Sequence, residues 1–274
     1  MCALSLLLGT TSTLCLAGGS RGHADKLPNQ PTRTIASATL NKAVADYSRW
    51  VDELEASGRV TGFSTAIVSG KKVLLEKSIG LADVRTGEPV KPTTVFRIAS
   101  LSKAFSSALA ALMVRDGQVR WDTRVADVLT FFRLRSDRAT NHVTLRDILS
   151  HRTGLPHNTF DHKLEDNVPY RELVRELDRV RLTCEVGDCY SYQNVAFSMF
   201  GDLVYALSGD FFNHQVEKRL FQPLGMKTAT YGRVALEDSA SWARPHVREY
   251  GHYVTVVPKP NYYWVSPAAG VNAS

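Results

Sequence analysis

Hydrophobic spacing changes character three times along this chain, and that order narrows the fold more than any other feature. Leu40, Val44, Tyr47, Val51 and Leu54 recur at intervals of three and four, the pattern of an amphipathic helix that Gly58 ends. Between Gly62 and Asp83, two apolar runs flank Ser69-Gly70-Lys71-Lys72, which predicts a β-hairpin. After a turn-rich stretch from Arg85 to Pro92, helical spacing takes over. Phe105, Leu109, Leu112 and Met113 share one face of a helix expected over residues 100–115. Thr144 and Asp147 stand where a capping box would open a helix over 143–150. Further helices are expected over 170–180, 194–207 and 211–221. Strand-like runs resume at Val254–Val257 and Tyr262–Val265. This order predicts a mixed α/β (α+β) domain. Its antiparallel sheet would be built from both ends of the chain, flanked by helices, with a helical subdomain inserted between.

Composition narrows the function classes. Hydrophobic residues make up 44% of the 274 and charged residues 22%. Those proportions exclude a wholly disordered chain, a collagen-like repeat and a coiled-coil rod. The formal charge is +6, but Asp and Glu are interleaved with Lys and Arg throughout. No basic block has the density of a nucleic-acid arm, so nucleic acid is not expected as a partner. No apolar run reaches the length of about 20 residues that a membrane span needs.

The chain divides into three parts. Residues 1–24 carry a short apolar region, Leu4 to Ala17, and end on Gly22-His23-Ala24, a small-x-small pattern. That reads as a signal peptide with an atypical n-region lacking Lys and Arg, and implies a periplasmic or secreted protein. Residues 25–37 are polar and contain proline, as a linker would be. The globular domain is expected over 38–274. Two of the four cysteines, Cys2 and Cys15, fall in the leader. Cys184 and Cys189 sit five residues apart, where they either bridge a tight loop or remain two thiols. Two cysteines alone do not make a metal site.

Two Ser-x-x-Lys strings occur, so context has to choose between them. Ser69 to Lys72 is the tip of the expected hairpin and reads as a solvated turn. Ser100-Leu101-Ser102-Lys103 lies where an extended segment enters an apolar helix. Residues three apart on a helix share a face, so Lys103 can reach the Ser100 hydroxyl. The helix N-terminus adds unpaired N–H groups and a positive dipole end. A serine hydroxyl needs an adjacent base to act as a nucleophile, and a desolvated lysine can serve. The same residues fit a capping serine with a solvated lysine on the first turn. Tyr192-Gln193-Asn194 follows a turn and precedes a helix. Its Tyr hydroxyl and Asn amide could face one cleft, or be a core aromatic followed by a helix cap.

Taken together, these strings resemble the serine β-lactamase and penicillin-binding-protein superfamily, on its class C-like side. The resemblance runs through FRIASLSKAFSSALAALMVRDGQVRWDTRVADVL, VTLRDILSHRTGLP, VGDCYSYQN, FQPLGMKTATYG and SPAAGVNAS, in the family's order. It implies a β-lactamase/transpeptidase-like fold and acyl-enzyme chemistry without metal or organic cofactor. It implies Ser100 as nucleophile, Lys103 and Tyr192 as the coupled pair that moves its proton, and Asn194 as the ligand of the substrate's amide carbonyl. Substrates would be β-lactams, D-Ala-D-Ala-type peptides of the cell wall, or small esters, and the protein a monomer. The alternative is a non-catalytic penicillin-binding-like module or an inactive copy.

One motif departs from the family's pattern. Its third element, Lys/His/Arg-Thr/Ser-Gly, follows the Tyr-x-Asn string on a late strand. Here Arg85-Thr86-Gly87 and Arg152-Thr153-Gly154 both precede Tyr192, and Lys227-Thr228-Ala229 is only a near miss. The resemblance therefore implies that the family's last strands and C-terminal helix are missing, and with them one of two oxyanion-hole donors. Loss of such a donor typically slows catalysis by about 10²- to 10³-fold. His151, His157 and His162, flanked by Asp161, Glu165 and Asp166, lack helix-face spacing for a metal and read as a polar loop beside the cleft.

Overall fold

The computed structural model describes residues 37–274, so the expected leader and all but the last residue of the linker lie outside the described residues. The chain divides into Met1–Asn41 and Lys42–Ser274. Of the first unit only the opening turn of helix α1 (Ser37–Ala56) is described, and the architecture below Asn41 in the chain is that of the second.

Within α1, Val51 is fully buried and Val44, Tyr47 and Leu54 are half-buried, as the three-four spacing predicts. Gly58, in the left-handed region at φ +63°, lets the chain leave the helix. The hairpin comes next as β1 (Gly62–Ser69) and β2 (Lys72–Asp83), antiparallel, with Ser69 opposite Lys72 across a two-residue turn. Gly70 occupies that turn at φ +58°, a conformation such a short loop demands. Along β1, Phe63, Thr65 and Ile67 are half-buried while Ser64, Ala66 and Val68 are exposed. The Tyr47 hydroxyl lies 2.8 Å from Thr65 Oγ1, which ties α1 to the inward face of the hairpin. Strand β3 (Glu88–Pro89) completes a three-stranded sheet in the order β1-β2-β3.

The later strands form sheets of their own. Strand β4 (Phe96–Arg97) and strand β5 (Thr230–Tyr231) flank β8 (Val271–Ala273). Strands β6 (His246–Glu249) and β7 (His252–Thr255) make a separate hairpin. The strand expected at Val254–Val257 is thus shifted two residues earlier. The strand expected at Tyr262–Val265 is a 3₁₀ turn, Asn261–Val265. Burial does alternate there, with Asn261, Tyr263 and Val265 inside, which imitates a strand. Pro260 opens the turn, and the buried Asn261 amide donates to the carbonyls of Leu164 and Glu165 at 3.0 and 3.2 Å. Those bonds hold the segment against a loop instead of a sheet edge.

The core centres on the helix Val195–Ser208, of which eight residues are buried, among them Phe197, Met199 and Phe200. Leu109 and Met113 of helix α2 (Ser102–Arg115) belong to the same core, as do Leu145 and Ile148 from the short helix Leu145–Leu149. The expected capping box is formed: Thr144 N–H donates to Asp147 Oδ2 at 2.9 Å, and Asp147 N–H donates to Thr144 Oγ1 at 3.3 Å. Val265, Ala268 and Val271 close the same core from the end of the described chain. Among the described residues no single helix is long and apolar enough to cross a membrane.

Candidate active site

The Ser100 string meets the Tyr192 string at the mouth of this core. Ser100 stands on a 3₁₀ turn, Ala99–Leu101, between β4 and α2. Ala99 sits at φ +47°, an uncommon conformation for a residue with a side chain. Such local strain, over-determined by its surroundings, is a common feature of functional sites. Here the surroundings are two buried serines of α2. Ser102 donates from its hydroxyl to the Ala99 carbonyl at 2.5 Å and accepts from Val271 N–H at 2.9 Å. One turn later, Ser106 donates to the Pro267 carbonyl at 2.6 Å. The exposed Ser100 hydroxyl is therefore presented by a turn that α2 and the 267–271 segment brace from below.

Lys103, the second residue of α2, lies one turn after Ser100, as the i, i+3 spacing requires. Its Nζ is 3.4 Å from Ser100 Oγ, 2.6 Å from the Tyr192 hydroxyl, 2.8 Å from Asn194 Oδ1 and 3.0 Å from the Ala268 carbonyl. The Tyr192 hydroxyl is 2.8 Å from Ser100 Oγ, so Ser, Tyr and Lys form a closed triangle of polar atoms. All four expected site residues are brought together. Burial depresses the Lys103 ammonium to about 8, against an opposing pull from the Asp161 carboxylate. Burial also raises the Tyr192 phenol above its ordinary value.

Two loops hold Tyr192 in place. Ser191 N–H donates to the His151 carbonyl at 2.8 Å, and Asn158 N–H donates to the Tyr192 carbonyl at 2.8 Å. His151 is buried, with its ring 4.5 Å from that of Tyr192 and stacked on Phe197 at 5.3 Å. Burial, with the nearby Lys103 charge, lowers its imidazole to about 4, so it is neutral at ordinary pH and accepts from Gln193 N–H at 3.1 Å. Cys184 and Cys189 are joined in a disulfide. The loop they close and the residue before it touch 152–154, through Gly187 N–H to the Arg152 carbonyl and Thr183 N–H to the Gly154 carbonyl. A Cβ on Gly154 would lie 2.5 Å from the Cys184 carbonyl, and its φ of +81° independently calls for glycine.

Sequence spacing did not single out Asp161. It accepts from Asn194 Nδ2 at 2.8 Å, while Asn194 Oδ1 accepts from Lys103. The Asn194 amide is thereby held at both ends, and its orientation is dictated by a carboxylate on one side and an ammonium on the other. Burial pushes the Asp161 carboxyl up, and its Oδ1 is buried without a hydrogen-bond partner. Asp161 was visible only as an acidic neighbour of three histidines. Nothing local in the sequence shows that it faces Asn194, 33 residues away. Ser102 and Ser106 were hidden by the same limitation.

The look-alikes of the third motif serve elsewhere. Arg85 bonds Asp83, Arg152 bonds the Gly187 carbonyl, and Thr228 lies 2.6 Å from the Ser274 hydroxyl. Ser69 and Lys72 sit opposite each other at the hairpin tip, away from this constellation. Among the described residues no group of three or more His, Cys, Asp and Glu side chains is arranged to hold a metal ion.

The same Ser-x-x-Lys and Tyr-x-Asn strings lie inside a match to the Beta-lactamase family model that spans residues 47–274. The chain belongs to the beta-lactamase family. It is 31% identical over 213 residues to the unguisins hydrolase ungD' of Aspergillus campestris (strain IBT 28561), covering 75% of this chain and 39% of that protein. It is 31% identical over 186 residues to penicillin-binding protein 4 of Amycolatopsis lactamdurans, covering 66% and 48%. The chain thus spans less than half the length of these curated relatives. In fold it is similar to the octameric penicillin-binding protein homologue from Pyrococcus abyssi, at a TM-score of 0.73 and 22% identity, over 84% of this chain and 53% of that one. The beta-lactamase/transpeptidase-like fold expected from the sequence is the one observed.

Proposed function

We propose that this protein is a serine hydrolase that works through an acyl-enzyme on Ser100. The observation that carries this reading is the closed contact of Ser100 Oγ, Tyr192 OH and Lys103 Nζ, with separations of 2.8, 2.6 and 3.4 Å. In this reading the Ser100 hydroxyl attacks a substrate carbonyl and its proton passes to the Tyr192–Lys103 pair. Membership of the beta-lactamase family and likeness to two proteins named as a hydrolase and a penicillin-binding protein support it.

The two directions of pKa shift favour neutral Lys103 as the proton sink and Tyr192 as the relay. A lysine at about 8 is neutral in about one molecule in ten at pH 7. A buried phenol above its usual value holds its proton and passes it on. The Ser100 N–H, in the first turn of a helical segment, is available as an oxyanion donor. When the tetrahedral intermediate collapses, the proton returns to the leaving group from the same pair. A water then attacks the ester at Ser100 and releases the acid.

The substrates proposed are β-lactams, D-Ala-D-Ala-type peptides and small esters, which all offer a carbonyl to the same serine. The test is a panel of nitrocefin, a D-alanyl-D-alanine peptide and p-nitrophenyl acetate with wild type and Ser100→Ala. Turnover of any of the three that Ser100→Ala abolishes supports the reading and names the class. Equal rates in wild type and variant would refute it.

A further inference from the structure

A cavity of about 820 Å³ lies outside the constellation of Ser100, Lys103, Tyr192 and Asn194, none of which lines it. Its walls come from the helix Val195–Ser208, the short helix Tyr170–Arg175 and the chain around Leu129 and Phe212, with Pro267 among its lining. The volume is that of an ordinary small-molecule site, which is mostly apolar with a few polar groups.

Three aromatic side chains at this cavity are left wet. Phe131 is 52% exposed, Tyr205 53% and Phe211 63%, and the last two rings lie 5.3 Å apart. Large apolar side chains gathered at one concavity mark a contact surface more often than isolated ones do. Val174 and Phe212 add buried apolar surface to the lining.

The charges at the cavity are unbalanced. Arg171 and Arg175 are four residues apart on one helix, both line the cavity and both are exposed. Neither makes a side-chain hydrogen bond or ion pair with the described residues, and the Arg171 charge reaches Asp202 only at a distance, favouring its carboxylate. The third charge is Asp202, whose Oδ2 already accepts from the Tyr170 hydroxyl at 2.7 Å. Two guanidiniums and one carboxylate leave a single positive charge. A guanidinium fork matches a carboxylate bidentately.

We propose that this cavity is a second binding site, for an amphipathic monocarboxylate whose apolar or aromatic body rests on Phe131, Tyr205 and Phe211 and whose carboxylate meets Arg171 and Arg175. A cation would face two arginines, and Asp202, the only acid among the described residues of the wall, is already hydrogen-bonded by Tyr170. The site is distinct from the hydrolytic one and does not depend on it.

The test is calorimetric titration of the protein with decanoate below its micelle concentration. Saturable binding of one decanoate per chain is expected, with decylammonium at least tenfold weaker. The double variant Arg171→Gln/Arg175→Gln changes two exposed side chains, so it should melt with wild type and bind decanoate at least tenfold more weakly. Ala206→Trp, which puts an indole into the cavity lining, should give the same loss. Absence of saturable binding, equal binding of decylammonium, or undiminished decanoate affinity in both variants would overturn the proposal.

Discussion

Lys103 has more acceptors than protons to give. An ammonium carries three donors, yet four oxygens lie within 3.4 Å of Nζ, the Ser100 hydroxyl being the most distant. In the neutral form Nζ has two donors, which suit the accepting Asn194 Oδ1 and Ala268 carbonyl, and a lone pair free to take a proton relayed through the Tyr192 hydroxyl. The proposed base is therefore the deprotonated amine, and kcat/KM should climb with pH through about 8. Asp161 opposes the effect of burial by favouring the charged lysine. Asp161→Asn keeps an acceptor for Asn194 Nδ2 and removes the negative charge. The rising limb should then move to lower pH, read from a pH–rate profile of both proteins; an unmoved limb would mean that Asp161 acts only through geometry. His151 makes stability, like activity, rise with pH. Its folded value of about 4 lies below the ordinary 6.5, so the unfolded chain binds the extra proton between those values. The stability from its neutral form is complete above pH 6.5 and is lost as pH falls toward 4, by roughly 1–3 kcal/mol. Thermal unfolding from pH 7 to 4 should show this loss in wild type and much less of it in His151→Gln.

At the scale of elements, the site is a junction of loops braced by helices. The 151–158 and 183–192 loops carry Tyr192, and the disulfide closes the second of them. Closing so short a loop is worth about 2 kcal/mol in the chain-entropy model. Cys184→Ser/Cys189→Ser should lose about that much in urea unfolding, and lower Tm by about 4–8 °C for a domain of this size. Turnover should fall as well, because Tyr192 loses part of its support. Much of this level was legible beforehand. Helix α1, the hairpin, the Thr144 cap and the helix over Val195–Ser208 arise from spacing and local chemistry, which act within a few residues. The segment Tyr262–Val265 misled because its burial alternates while its backbone coils, and the decisive bonds run from Asn261 to residues 97 and 96 positions away. Asp161 escaped for the same reason. Four site residues were legible because each belongs to a short string with a fixed internal spacing, and a carboxylate brought in by a loop has no such string.

Across the whole molecule, one continuous core joins α2, the helix Val195–Ser208 and the segment 265–271, and these three elements also hold the site. A smaller cluster of Val95, Leu236, Trp242 and Tyr263 packs separately. Damage to the large core should therefore reach the catalytic constellation. Phe200 is almost fully buried there, with its ring 5.9 Å from Phe212. Phe200→Ala should cost about 3–5 kcal/mol in urea unfolding, with helix content and turnover lost in one coincident transition. The family's third motif has no counterpart between Tyr192 and Ser274, and the chain's matches to these two curated relatives cover 39% and 48% of their length.

Intact mass spectrometry after incubation with benzylpenicillin, on wild type and Ser100→Ala side by side, shows whether Ser100 is acylated. One penicilloyl adduct per chain is predicted in wild type, absent from Ser100→Ala and mapped to the peptide containing Ser100. An adduct of equal yield in both proteins, or none in a wild-type chain that melts cooperatively and is likewise unlabelled by p-nitrophenyl acetate, would contradict acylation at Ser100.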